Sequence, residues 1–222
     1  MRPKPDVSQV ECAISSRLHG DSGIGLPRVD GALASIGGKR MDSDTALLII
    51  DMQMEMQHRI DAGRSHVNPD APAIIAALAY AFRDARRPVI HVRHAEAHPA
   101  SPLHPDAPGY PPMACAVERP DEAVFVKRSS SAFATTTLEA HLRGRGITHI
   151  HVVGAVAGFC VNSTVRAASD LGFRVTVVRD GVIGFDLPSA GLDAGVIFDV
   201  TMGLLAADFA EVVDGEAVLA GL

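Results

Sequence analysis

The sequence predicts an α/β domain built on a parallel sheet, and three observations lead there. Short apolar runs bounded by turn residues recur along the chain, each the pattern of a strand covered on both faces. Helix-compatible segments fall between them, and strands alternating with helices imply right-handed crossovers between parallel strands. Finally, 222 residues with 47% hydrophobic content suit one domain with a sizeable core.

Residues 1–40 stand apart. They mix Pro, Gly, Ser and charge without a sustained period, so they read as a loosely ordered N-terminal extension to a domain over 41–222. Thr45–Asp51 is the first strand, an unbroken apolar run closed by a carboxylate. Pro72–Arg86 follows with Ile74, Ile75, Leu78, Ala79 and Phe82 at the spacing of an amphipathic helix. Pro88–Arg93 is the second strand. The His94–Pro112 stretch is too long for a simple connection and reads as a lid or substrate-binding loop. Its His94, His98 and His104 lack the converging pattern of a zinc motif and read as scattered histidines.

Ala123–Lys127 is the third strand. Thr136 with Glu139 three residues on has the form of a capping box, opening a helix to Arg145 that Gly146 ends. His149–Gly154 is the fourth strand, Val161–Leu171 a helix stopped by Gly172, and Arg174–Arg179 the fifth strand with Asp180-Gly181 at its end. Ser189–Phe209 reads as mostly helical and Ala210–Asp214 as a short sixth strand.

Composition excludes several functions. A formal net charge of −6 without a long basic run gives no reason to expect nucleic acid. No stretch approaches the roughly 20 apolar residues of a membrane span. Cys12, Cys115 and Cys160 are odd in number and widely spaced, which makes neither a disulfide framework nor a zinc site and fits a reducing cytoplasm. A small-molecule substrate is the partner that remains.

Three polar residues then stand at or just past the carboxyl ends of separate strands: Asp51, Lys127 and Cys160. In a parallel sheet those ends share one edge, so residues far apart in sequence can converge. Cys160 lies at a helix entrance, where unpaired N–H groups and the positive end of the dipole lower a thiol pKa and bind an oxyanion. A thiolate attacks a carbonyl, a carboxylate moves the proton, and an ammonium favours both anions. Each residue also has a plainer reading: a packed core cysteine, a helix-capping aspartate, a solvated lysine.

The chain resembles the isochorismatase-like family of cysteine hydrolases. The resemblance rests on Leu47–Gln53, on Lys127 with Ser131-Ala132-Phe133 and Thr136–Glu139, and on Gly154–Thr164, and covers about residues 44–215. It implies a six-stranded, mostly parallel, three-layer α/β/α sandwich of Rossmann-like type. It also implies an Asp51–Lys127–Cys160 triad, a cis peptide at Ala155–Val156, and an oxyanion hole from the Val156 and Cys160 N–H groups. The presence of Cys160 points to the branch that cleaves C–N bonds of small amide, ureido or carbamoyl substrates through a thioester. The metal-binding branch carries an aspartate–histidine motif that Val92–Glu96 does not match, so no metal and no cofactor are expected. Arg93, His94, Phe133, Ala157 and Phe159 are the candidate pocket residues, and a homo-oligomer, dimer or tetramer, is the expected assembly. Two other readings stay open: a catalytically silent scaffold of the same family, and a thiol-redox protein, although no CxxC pair is present.

Overall fold

The computed structural model describes residues 44–222, so the expectation for residues 1–40 lies outside the described residues. From Thr45 the chain runs β1 (Thr45–Ile50), α1 (Met54–Asp61), β2 (His66–Val67), α2 (Ala71–Asp84), β3 (Val89–His94), β4 (Ala123–Lys127) and α3 (Leu138–Gly144). It continues through β5 (His149–Ala155), α4 (Asn162–Asp170), β6 (Arg174–Phe185), α5 (Ala194–Asp208), β7 (Glu211–Val213) and α6 (Gly215–Ala220). The sheet order is β2-β6-β5-β1-β3-β4, with β7 also pairing with β6.

β1 is buried at every residue because it lies mid-sheet, parallel to β3 on one side and β5 on the other. Its alternate side chains feed two cores. Ala46, Leu48 and Ile50 pack on the face covered by α3, α4 and α5, through Leu138, Val165 and Phe198. Leu47 and Ile49 pack on the opposite face against Ile75, Leu78 and Phe82 of α2. Two apolar faces on one sheet require helices on both, which makes the three-layer α/β/α sandwich.

The six strands read from the sequence are all present and mutually parallel along the sheet. A seventh, β2, pairs antiparallel with the end of β6. Two residues carry no detectable period, so β2 was invisible beforehand. β6 also runs on to Phe185 instead of stopping at Asp180-Gly181. The register jumps there, from Val152↔Val177 to Gly154↔Val182, so the turn-like pair forms a bulge inside the strand.

Helix ends follow local chemistry. Gly146 and Gly172 take positive φ (70° and 83°) beyond α3 and α4, as C-terminal glycines do. The Thr136/Glu139 capping box does not form. Thr136 Oγ1 accepts from the Leu138 N–H (3.1 Å) and donates to Ala132 O (2.7 Å), while Glu139 pairs with Arg143 (2.8 Å). α5 starts later than expected, at Ala194, where the Asp193 side chain accepts from Gly195 N (2.7 Å). Among the described residues no helix is long and apolar enough to cross a membrane.

One glycine fixes the central strands. Gly154 has φ 120°, and a Cβ added there would lie 2.0 Å from Ile50 O. Strand β1 cannot give way without breaking its pairing. Gly154→Ala is therefore expected to lower thermal stability by several degrees or to abolish folding; a wild-type melting curve would show that the β1–β5 spacing is less constrained than this contact implies.

Candidate active site

Asp51, the residue after β1, adopts φ 50°, an uncommon conformation for a non-glycine residue, while its N–H still donates to Val92 O (2.9 Å). The carboxylate is thereby held at the carboxyl edge of the sheet, 3% exposed. Lys127 ends β4, two strands away, in register with His94 at the end of β3. Its side chain is fully buried, which overturns the reading of a solvated strand end. β5 leads through Val156 into a short π-helical turn, Ala157–Val161, that carries Cys160.

These three side chains meet on one nitrogen. Lys127 Nζ lies 2.7 Å from Asp51 Oδ2, 3.0 Å from His94 Nδ1 and 3.1 Å from Cys160 Sγ. An ammonium has three N–H donors, and each has an acceptor here. The His94 ring must then carry its proton on Nε2, with Glu96 Oε1 3.6 Å away. Burial, and then the Lys127 charge, hold the His94 pKa below its ordinary value.

The other groups are poised accordingly. Burial is the main influence raising the Asp51 carboxyl above the usual range, and Lys127 opposes it. Among the described residues Asp51 Oδ1 is buried with no hydrogen-bond partner, a lone pair available to a proton. Burial first, and the Asp51 carboxylate second, push the Cys160 thiol up to about 12. The expectation that the helix start lowers this pKa is therefore corrected: at rest the site holds a thiol, because desolvation and a neighbouring anion outweigh the dipole.

Ala155–Val156 is a cis peptide. Phe159 N–H and Val161 N–H both donate to Val156 O, at 3.0 and 3.3 Å. Cys160 is the fourth residue of the helical segment, a position within the first turn, where helix N–H groups have no intrahelical acceptor by geometry alone. The cavity in front of the sulfur has a volume of about 280 Å³ and is walled by Val156, Phe159, Leu103 and Met56, with His94, Glu96, Ser130 and the Glu55-paired Arg59 as polar groups.

Three of the five candidate pocket residues stand elsewhere. Arg93 points away to an ion pair with Glu118. Phe133 stacks on Phe173 (5.9 Å between centroids) and packs on the α3/α4/α5 side of the sheet. Ala157 is fully buried in that same core. Arg93 and Ala157 sit beside the site residues His94 and Val156 in sequence, and side-chain direction, not proximity, separates them. His94 and Phe159 do face the cavity.

The loop His94–Pro112 contributes Glu96 and Leu103 to the cavity. Its other histidines hold turns: His98 Nδ1 accepts from Ala100 N (3.2 Å) and His104 Nδ1 from Asp106 N (3.3 Å). Sequence reading missed Gln53 as a structural clamp. Fully buried, it donates to His94 O (3.1 Å) and Tyr110 O (2.8 Å) and accepts from His94 N (2.8 Å), tying the loop to β1. A Gln two residues after a strand-end Asp was the available signal.

Asp51, His94 and Cys160 are the one group among the described residues whose ligand atoms converge as a metal site requires. Lys127 Nζ already lies within hydrogen-bond distance of all three. A dication would have to displace or deprotonate that buried ammonium, so the donor set does not fit a resident metal. Dialysis against a strong chelator is expected to leave turnover unchanged; a loss restored by zinc, manganese or iron would overturn this reading.

Comparison with known proteins gives a consistent picture. The family model of the isochorismatase domain matches residues 45–193. The chain is 33% identical over 138 residues to the uncharacterized isochorismatase family protein YddQ of Bacillus subtilis, covering 61% of this chain and 76% of that protein. It is 30% identical over 148 residues to streptothricin hydrolase of Streptomyces noursei, covering 65% of this chain and 51% of the relative. Among solved structures, a putative hydrolase of the isochorismatase family from Chromobacterium violaceum superposes with a TM-score of 0.75 at 33% identity, over 80% of this chain and 93% of that one.

Proposed function

As this chain belongs to the isochorismatase family, we propose that it is a cysteine hydrolase cleaving a C–N bond in a small amide, ureido or carbamoyl substrate. The observation that carries the reading is the shared contact of Asp51, His94 and Cys160 with the buried Lys127 ammonium. Burying two opposite charges together is costly unless each is paired, and this arrangement does little for stability that apolar residues would not do better. It does supply a nucleophile, a base and a fixed cation in one place.

The chemistry follows from the atoms. Asp51 Oδ1, the unpartnered oxygen, takes the Cys160 proton as the sulfur attacks the substrate carbonyl carbon. A raised carboxyl pKa suits that role, since a base works best when its pKa approaches the working pH. Lys127 offsets the negative charge that forms on sulfur. The tetrahedral oxyanion is taken by the Val156 and Cys160 N–H groups. Collapse breaks the C–N bond, Asp51 returns the proton to the leaving nitrogen, and a thioester remains on Cys160. Asp51 then deprotonates a water, which attacks the thioester carbonyl; the sulfur leaves, recovers its proton and frees the acid product.

The cavity limits what enters. Phe159, 52% exposed at the rim, offers an aromatic face, and Glu96 with the His94 Nε2–H offers an acceptor beside a donor. That pairing matches the N–H and C=O edge of an amide or urea. Streptothricin hydrolase among the relatives supports a hydrolytic reading in the same direction. A panel of small amides, ureas and carbamates assayed for release of ammonia or amine tests the proposal. Cys160-dependent release from at least one of these classes is expected; release from none, with the protein folded, would favour a silent scaffold.

A further inference from the structure

The amino-terminal edge of the sheet carries a second constellation that hydrolysis does not use. A cavity of about 320 Å³ lies among the first residues of β5, β6 and β7, and Arg87, His149, His151, Arg174, Thr176 and Glu211 line it. β5 separates it from Cys160 by roughly 20 Å at about 3.3 Å per residue.

Two buried imidazoles form its floor. His149 and His151 are each 9% exposed, with ring centroids 4.4 Å apart. His149 Nε2 is bonded to Thr176 Oγ1 (2.8 Å). Among the described residues His151 Nδ1 is buried with no hydrogen-bond partner, and its ring meets Phe82 edge-on (5.4 Å). A buried polar ring left unsatisfied is uncommon and calls for an explanation such as a missing ligand.

The charges above it are unbalanced as well. Among the described residues the ion-paired arginines are Arg59, Arg64, Arg83, Arg93, Arg143 and Arg179. Arg87 and Arg174 are not among them. Arg86, Arg119 and Arg145, also without an ion pair, surround an adjoining cavity that shares Arg87. This concentration of unpaired guanidinium groups occurs on a chain of formal net charge −6. The opposing carboxylates are Asp44, which accepts from Thr148 Oγ1 (2.6 Å), the exposed Glu211, and in the adjoining cavity Asp121 and Glu122, the latter already paired with Arg83.

We propose that this cavity is a binding site for a small multivalent oxyanion of phosphate or carboxylate type, with Arg87 and Arg174 as charge partners and His151 as an N–H donor. Guanidinium forks match the paired oxygens of either group. The cavity is small and the chain acidic overall, which favours a small anion over a long polyanion. A metal is not indicated, since no three ligand atoms converge here among the described residues.

Burial, then His149, Arg87 and Arg174, hold His151 down at about 4, so its ring is neutral near pH 7. An anion seated beside it favours the imidazolium and must raise that value; by linkage, the anion binds more tightly as pH falls. The test is imidazole nitrogen NMR on the full chain, titrated separately with inorganic phosphate and with citrate at constant ionic strength, using sodium chloride as reference. A saturable change at His151, with its pKa raised by about one unit, is expected with at least one anion. Arg87→Gln and Arg174→Gln should each weaken that binding about tenfold. Saturation by phosphate alone, by citrate alone or by both assigns the ligand type within the proposal. No saturable change at His151 with either anion overturns it. So does a change that both arginine variants leave intact, or one confined to His94 in the active site.

Discussion

Cys160→Ser is expected to fold with an unchanged melting profile and to lose roughly 10⁴- to 10⁶-fold in kcat, the scale on which removal of a nucleophile from a cooperating triad is felt. The variant removes no packing volume of consequence, so stability should report little. The buried hydroxyl lacks the intrinsic nucleophilicity of sulfur, and its proton is harder for a carboxylate to remove. Because burial and the Asp51 carboxylate push the resting thiol up to about 12, alkylation by iodoacetamide should be slow in the wild type, faster in Asp51→Asn, where one of those two influences is gone, and accompanied by complete loss of turnover. Cys115, raised to about 11 by burial, does not line the cavity, so its alkylation should leave turnover unchanged. A serine variant with wild-type turnover would exclude a thioester.

The second large effect belongs to the buried ion pair. Asp51→Asn keeps the shape of the side chain but cannot accept the thiol proton, and loss of a general base typically costs about 10²–10⁴-fold. Lys127→Met is expected to be at least as damaging, for a different reason. It leaves Asp51 buried without its counter-ion, so desolvation, already the main upward influence on this carboxyl, acts unopposed. The carboxyl is then protonated over much of the working range and is no longer a base. The acid limb of the wild-type rate profile should lie above the ordinary carboxylate range, since activity is lost as pH falls through the raised Asp51 value. In Lys127→Met that limb should move further up. The double variant should be little worse than the poorer single one, because the two groups act as a unit. Independent, multiplying losses would mean that Asp51 and Lys127 serve separate functions despite their 2.7 Å contact.

Much of this arrangement was legible before any coordinates. Unbroken apolar runs such as Thr45–Ile50 identified the parallel strands, since only a strand covered on both faces tolerates them. A charged residue at the end of such a run, as at Asp51 or Lys127, is ordinary by itself; the signal was three residues of complementary chemistry at ends that share one sheet edge. What periodicity could not show was where neighbouring side chains point. Arg93 and His94 are adjacent, yet one turns to Glu118 and the other to Lys127. Phe133 and Phe159 are both phenylalanines in motif segments, and only the second reaches the cavity. Nor could it show that Asp180-Gly181, a turn by composition, would be absorbed as a bulge within β6.

Among the described residues, the sequence by itself determined six of the seven strands, the helices α2 to α5 beside them, and the identities of three residues whose chemistry is complementary. Backbone pattern and residue type are local properties, so a single chain can be read for them. Only the tertiary structure decided that a single ammonium joins Asp51, His94 and Cys160, that the thiol is raised and not lowered, and that unpaired arginines gather over His151 at the opposite edge. Those are consequences of distance and desolvation between residues far apart in the chain, and they exist only once strand order has brought β1, β3, β4 and β5 side by side.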